Sequence, residues 1–97
     1  MSEKQAILAV LKNAKPSLAK KYGVKELALF GSYSRDTAIA GKSDVDILVA
    51  FSQPIGITFI DLADELEQLL QRKVDLVSRM AIKPKYFTVI EPELIYV

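Results

Sequence analysis

The sequence contains no cysteine, no histidine and no tryptophan among its 97 residues. Without cysteine and histidine, a disulfide, a thiolate or imidazole metal site, a cysteine nucleophile and a Ser-His-Asp triad are all excluded. Any catalysis must therefore use carboxylates, hydroxyls, lysine or arginine.

An excess of charge is also missing. Thirteen Lys and Arg residues against twelve Asp and Glu residues give a formal net charge of +1. This balance does not predict the strongly basic surface that direct nucleic-acid binding requires. The N-terminus lacks a secretory signal pattern, and the longest uncharged stretch, Ile47 to Ile60, is shorter than the roughly 18–20 residues of a membrane-spanning helix. We therefore expect a cytoplasmic protein with no membrane association.

The length predicts one small domain over residues 1–97. Hydrophobic residues make up 51% of the chain, which is high for a small protein with a large surface relative to its volume. Part of this apolar surface is expected to contact another protein.

Helical periodicity dominates the first twenty residues. Apolar residues recur at helical spacing from Ala6 to Ala14, and Ser2 with Gln5 forms a candidate capping box before them. We expect Pro16 to kink or restart this helix and Gly23 to end it.

Strand and helix patterns alternate along the rest of the chain. The clearest helix carries an apolar stripe from Phe59 to Leu70, with Thr58 as its candidate N-cap. This alternation predicts an α/β (α+β) fold in which helices pack on a small sheet. The other predicted elements are strands at Val24–Phe30, Val45–Phe51, Lys73–Ser78 and Leu94–Val97 and a short helix at Lys83–Glu91.

A glycine-serine pair follows the first predicted strand. Gly31 lacks a Cβ atom, so the backbone can turn sharply there. Ser32, beginning a short helix, offers a hydroxyl and free amides to a phosphate group. The pair therefore predicts a phosphate-binding turn.

Acidic residues mark the next two strands. Asp44 and Asp46 are two residues apart at the start of a strand, so their carboxylates share one face with backbones roughly 6–7 Å apart. The two negative charges repel each other, and a bound Mg²⁺ ion would offset this repulsion. Mg²⁺ also binds nucleotide phosphates. Asp75 lies between apolar neighbours, where an acid is costly unless it is paired or binds a cation. As a general base or a second-metal ligand it would complete a site for nucleotidyl transfer.

Each of these signals alone also fits an ordinary structural role. A Gly-Ser pair is common in turns, and two acids at a strand start are often simply solvated. Asp75 alone fits a surface acid paired with Lys73, and Arg35 alone fits a solvated or salt-bridged loop residue. The tyrosines at 33, 86 and 96 fit packing or interface positions better than nucleophiles. Together, however, the signals occur in the order and on the predicted strands that metal-dependent nucleotidyl transfer needs. Their combination therefore favours the metal-nucleotide site.

The sequence resembles the minimal nucleotidyltransferase (MNT) family of the DNA polymerase beta-like superfamily over nearly its whole length. Two features differ from the family pattern: Asp36 occupies a position that is often Gly, and the spacer from Ser32 to Asp44 is one residue longer. The segments that carry the resemblance are Leu29–Arg35, Ser43–Val49, the following amphipathic helix and Lys73–Val77.

The resemblance implies a nucleotidyltransferase fold with a small mixed sheet, and a role for each matching residue. The nucleotide phosphates would be held by Gly31 and Ser32, with Arg35 also touching a phosphate. The acids Asp44, Asp46 and Asp75 would form the catalytic and Mg²⁺-binding set.

Members of this family commonly occur as antitoxins beside a helical HEPN-domain toxin. The resemblance thus implies an enzyme that uses ATP and Mg²⁺ to transfer AMP to a hydroxyl, expected to be a Tyr, of a HEPN partner. One alternative is a catalytically silent, nucleotide-binding antitoxin that neutralises the toxin by occlusion. Another is nucleotidyl transfer to a small molecule.

The C-terminal segment is the candidate contact surface for a partner, although its apolar residues fit core packing equally well. An open edge of the last strand would also allow a homodimer or a hetero-oligomer. The residues of this segment are Tyr86, Phe87, Val89, Ile90, Leu94, Ile95 and Tyr96.

Overall fold

The computed structural model describes residues 2–53 and 58–97, and within them the chain forms a four-stranded sheet and three α-helices. Among these residues, no helix combines the length and apolar character needed to cross a membrane. The elements in chain order are α1 (Glu3–Tyr22), β1 (Val24–Phe30), β2 (Val45–Phe51), α2 (Thr58–Leu70), β3 (Val74–Ser78), α3 (Pro84–Ile90), a 3-10 turn (Glu91–Glu93) and β4 (Ile95–Tyr96).

The sheet is mixed, with strand order β3-β2-β1-β4. β1 pairs antiparallel with both β2 and β4, whereas β2 pairs parallel with β3. A parallel pair needs a crossover connection, and α2 lies in the one between β2 and β3. The predicted small mixed sheet with packed helices is therefore confirmed.

The first helix has the predicted ends. The backbone N–H of Gln5 donates to Ser2 Oγ at 3.1 Å, and the Ser2 N–H donates to Gln5 Oε1 at 3.3 Å, which completes the capping box. Gly23 ends the helix in the left-handed conformation, with φ of 73°. The expected restart at Pro16 is wrong, since one helix continues through it.

Packing explains why α1 tolerates its proline. Leu11 lies before Pro16 and Leu18 after it, and both are fully buried in the same cluster. Tertiary contacts contribute most of the stability of a helix in a protein, so burial on both sides offsets the lost backbone hydrogen bond.

The sheet separates two apolar clusters. Alternate strand residues point to opposite faces, and Val45, Ile47 and Val49 of β2 face the larger cluster, whereas Leu48 joins the smaller one. Asp46 therefore points to the face of the smaller cluster, where α3 packs. The buried members of the smaller cluster are Ala28, Phe30, Leu48, Ile82 and Ile90.

The predicted boundaries hold closely. β1 and β2 have the predicted limits, whereas α2 begins one residue earlier than expected, so that Thr58 is its first helical residue and not the predicted N-cap. The third strand begins one residue later than predicted, at Val74, and the last strand is shorter, at Ile95–Tyr96.

Candidate active site

The turn after β1 carries the residues predicted to bind phosphate. Gly31 has a φ of 78°, a left-handed conformation that favours glycine. The N–H of Arg35 donates to the Gly31 carbonyl at 3.1 Å, and the N–H of Thr37 donates to the Ser32 carbonyl at 2.9 Å. Residues 31–36 thus form hydrogen-bonded turns in place of the expected short helix.

Side chains of this turn point in different directions. Tyr33 is buried in the larger cluster, which confirms a packing role. Ser32 is half-buried, and its hydroxyl makes no hydrogen bond within the described part of the chain. That hydroxyl is thus available to a ligand.

Asp46 stands at the centre of the candidate site. It pairs with Phe30 of β1 and with Asp75 of β3 in the sheet register, so it adjoins the residue before Gly31 on one side and an acid on the other. A Cβ atom built on Gly31 would lie 1.9 Å from Asp46 Oδ2. The carboxyl group therefore rests directly against the glycine backbone.

Charge is crowded around this carboxyl group. Burial, the nearby charges of Asp75 and Asp44, and a hydrogen bond to the Asp75 carboxylate together raise the pKa of Asp46 to about 6, with burial the largest cause. The guanidinium of Arg35 acts in the opposite direction on this pKa. The three predicted acids therefore interact with one another through Asp46.

The surroundings of Asp75 differ from the expectation. Its side chain is exposed, so the predicted cost of burial among apolar neighbours does not arise. It forms no ion pair with Lys73 among residues 2–53 and 58–97, and its carboxylate instead contacts that of Asp46. The reason is the strand register, which sets the two acids side by side.

A cleft of about 280 Å³ joins most of the predicted residues. It brings Gly31 and Arg35 together with Asp46 and Asp75. Asp44, which directly precedes β2, lines a neighbouring cavity of about 490 Å³ that also has basic residues in its wall. The remaining lining residues of the first cleft are Phe30, Val77, Tyr86, Val89, Ile90 and Glu93.

Glu93 is a further residue of this cleft that the sequence analysis missed. Its two carboxylate oxygens accept hydrogen bonds from Arg35 Nη1 at 3.0 and 2.9 Å, and Oε1 also accepts from the Gly31 N–H at 3.0 Å. The carbonyl of Glu93 accepts a hydrogen bond from the hydroxyl of Ser34. Arg35 is thus a salt-bridged loop residue, which was one of the two roles considered for it from the sequence.

Residues 11–97 match the family described as Nucleotidyltransferase domain. The chain belongs to this family. A Methanocaldococcus jannaschii protein, MJ0128, provisionally named a protein adenylyltransferase, is 48% identical over 90 residues, or 91% of each chain. Protein adenylyltransferase MntA of Thermococcus cleftensis is 39% identical over 94 residues, or 96% of this chain and 94% of that protein. The prediction of a nucleotidyltransferase enzyme is confirmed.

Solved structures share the fold of this nucleotidyltransferase. One, provisionally described as a minimal nucleotidyltransferase, has a TM-score of 0.77 and 30% identity over 98% of this chain and 95% of that one. A toxin-antitoxin structure with AMP-PNP has a TM-score of 0.58 and 30% identity, and the match covers 82% of this chain and 60% of that one. The structure of a tri-AMPylated Shewanella oneidensis HEPN toxin with its MNT antitoxin has a TM-score of 0.60 and 23% identity, and the match covers 97% of this chain and 67% of that one. At this identity the similarity shows the fold alone.

The acids of this nucleotidyltransferase suit a hard divalent cation. Carboxylate oxygens are the ligands that Mg²⁺ prefers, and a cation would offset the repulsion from Asp75 and Asp44 that, together with burial, raises the pKa of Asp46. In the side-chain positions of residues 2–53 and 58–97, no three acids already enclose a metal position. The donor set therefore fits Mg²⁺ chemically, and binding requires the carboxylates to turn towards one point.

The C-terminal segment divides into core and surface. Ile90 is buried, and Phe87 and Leu94 pack against the smaller cluster. Tyr86 and Val89, by contrast, are 53% and 67% exposed and line the cleft beside the acids. The predicted partner surface is therefore reduced to the exposed residues of this segment.

Proposed function

We propose that this nucleotidyltransferase binds ATP with Mg²⁺ and transfers AMP to a tyrosine hydroxyl of a HEPN-domain toxin, acting as its antitoxin. The observation that carries the proposal is the convergence of Asp46 and Asp75 with Gly31 and Arg35 in one cleft. The names of the relatives, protein adenylyltransferases including an MntA, support the reaction, and the toxin-antitoxin structures of the same fold support the kind of partner.

The turn after β1 is assigned to the phosphates of ATP. The Gly31 N–H, the Ser32 hydroxyl and the Arg35 guanidinium are the donors for phosphate oxygens, and the absence of a Cβ at Gly31 allows close approach. Asp44 and Asp46 are assigned to the cation. When bound, Mg²⁺ would neutralise charge on the phosphates and on the leaving group.

Asp75 is assigned to the acceptor hydroxyl. The hydroxyl oxygen attacks the α-phosphorus of ATP, and the bond from that phosphorus to the oxygen bridging towards the β-phosphate breaks, so that pyrophosphate leaves. The hydroxyl proton passes to the Asp75 carboxylate, which is exposed on the open side of the cleft. The residues of the turn and the strand ends thus hold the reactants in place, which is the main contribution to this type of transfer.

Calorimetric titration of ATP with and without Mg²⁺ tests the nucleotide site. We expect Mg²⁺-dependent binding that is lost in the Asp44→Asn, Asp46→Asn double variant. Asp64→Asn is the matched control, because Asp64 is an exposed acid on α2, on the opposite face of the sheet from α3. Binding that is unaffected by the double variant contradicts the assignment of the two acids.

Neutralisation by occlusion is the second candidate function. It is favoured by one observation: Glu93 already occupies the Gly31 N–H and Arg35, two of the donors assigned to phosphate. Co-expression with a HEPN-domain toxin separates the two functions. Under AMP transfer, Asp46→Asn abolishes neutralisation and AMP labelling of the toxin but leaves the complex intact, whereas under occlusion the variant still neutralises.

A further inference from the structure

Glu93 makes three hydrogen bonds to the phosphate-binding turn. Two come from Arg35 Nη1, at 3.0 and 2.9 Å, and one comes from the Gly31 N–H, at 3.0 Å. Charge-assisted hydrogen bonds of this kind are about twice as strong as neutral ones. The side chain of Glu93 is only 18% exposed, so its carboxylate is largely shielded in the cleft, whereas the Arg35 side chain that it contacts is half-exposed.

A carboxylate resembles a phosphate group in this position. Both are anions that present two oxygens to a guanidinium, and both accept hydrogen bonds from a backbone N–H in a turn. We propose that Glu93 competes with the nucleotide phosphates for Gly31 and Arg35, so that it must release both groups before a phosphate binds and thereby lowers the affinity for nucleotide. This inference rests on the proposed function, which assigns Gly31 and Arg35 to phosphate.

Release requires only a rotation of the Glu93 side chain. The backbone around it is held independently, because the Glu93 carbonyl accepts from the Ser34 hydroxyl and Ile95 pairs with Leu29 in the sheet. Arg35 has a 52% exposed side chain and lies on the open side of the contact. A phosphate can therefore approach Arg35 from solvent and displace the carboxylate without unfolding the C-terminal segment.

The competition affects apparent affinity in a defined way. A site whose competent state is only partly populated binds with its intrinsic dissociation constant divided by the competent fraction. A partly exposed ion pair of this kind reduces the competent fraction by roughly two- to fivefold. Removal of the Glu93 charge should therefore tighten nucleotide binding, which is the opposite of the effect of losing a residue that supports the site.

The test is calorimetric titration of Mg²⁺ with AMP-PNP into the whole chain and three variants. Glu93→Gln keeps the volume and an oxygen that accepts from the Gly31 N–H but removes the charge, so it is expected to fold. Glu93→Ala removes the competitor fully. Glu91→Gln is the matched control, since Glu91 is exposed on the same 3-10 turn. We expect roughly two- to fivefold tighter binding for both Glu93 variants and no change for Glu91→Gln.

The background of Arg35→Ala identifies the group through which Glu93 acts. In that background the gain from Glu93→Gln should shrink, because the main partner of the carboxylate is gone. Weaker or unchanged binding by Glu93→Gln, with an unfolding temperature like that of the wild type, overturns the competition and leaves the proposed function standing. Binding of AMP-PNP by none of the proteins overturns both.

Discussion

The carboxylate of Asp46 lies against the α-carbon of Gly31. A Cβ atom at Gly31 would stand 1.9 Å from Asp46 Oδ2 and 2.8 Å from its Cγ, far inside van der Waals contact. The φ of Gly31, 78°, independently disfavours any residue with a side chain. Glycine is therefore required here both by the conformation of the turn and by the acid beside it.

We expect Gly31→Ala to lose Mg²⁺-dependent ATP binding and about 1–3 kcal/mol of folding free energy, because the new methyl group must displace Asp46. Gly41→Ala is the matched control. Its φ is 81°, but nothing lies within 4 Å of an added Cβ, so only the conformational cost of about 1 kcal/mol applies. Denaturant unfolding and ATP calorimetry measure both effects. Equal behaviour of the two variants would contradict the role of the contact with Asp46.

We expect Asp46→Asn to stabilise the fold at pH 8. The pKa of Asp46 is about 6 in the folded chain and 3.8 ordinarily, so ionisation of this group opposes folding. The folded state binds the extra proton between these values, and stability from this group is present below pH 3.8 and lost as the pH rises through 6. After allowance for solvent screening, the variant should gain about 1–2 kcal/mol at pH 8.

Denaturant unfolding of this variant at pH 8 and pH 4 measures the gain and its disappearance. Asp64→Asn serves as the control, since Asp64 is an exposed acid on another face. A gain that persists unchanged at pH 4 would show that its cause is not the charge of Asp46.

The same group predicts how Mg²⁺ binding depends on pH. A cation must displace the proton of Asp46, so the apparent affinity for Mg²⁺ should fall up to tenfold for each pH unit below about 6 and level off above it. Calorimetry in buffers of different ionisation enthalpy should detect the release of about one proton at pH 5. A constant affinity from pH 5 to 8 would exclude Asp46 from the cation site.

Local patterns were sufficient to predict most elements of the fold. The continuous apolar run of β2 is typical of an interior strand, and β2 indeed lies between β1 and β3 with residues buried on both faces. Ser2 and Gly23 mark the ends of α1 by capping chemistry that involves only neighbouring residues. The restart expected at Pro16 was wrong because the burial of Leu11 and Leu18, which outweighs the local preference of proline, is a tertiary effect.

The candidate site was predictable only in part. The spacing of Asp44 and Asp46 indicated a shared location, but the position of Asp75 beside Asp46 depends on a parallel register that spacing does not reveal. Glu93 was missed because it meets Arg35 across 58 residues of sequence and no local pattern marks it. Asp36 illustrates a difference from the family pattern that the backbone explains: its φ of 61° is the conformation in which glycine is favoured and Asp is tolerated.

Substitutions of two adjacent residues of α3 should affect different properties, folding stability at Ile90 and partner binding at Val89. Ile90 is 3% exposed and belongs to the smaller cluster, so Ile90→Ala should cost about 2–4 kcal/mol of folding free energy. Val89 is 67% exposed, so Val89→Ser should change stability by less than about 0.5 kcal/mol. Val89 lines the cleft beside the acids, and a HEPN-domain partner that presents its hydroxyl there would contact it. We therefore expect Val89→Ser to weaken capture of the co-expressed toxin while denaturant unfolding stays unchanged; undiminished capture would place the partner surface elsewhere.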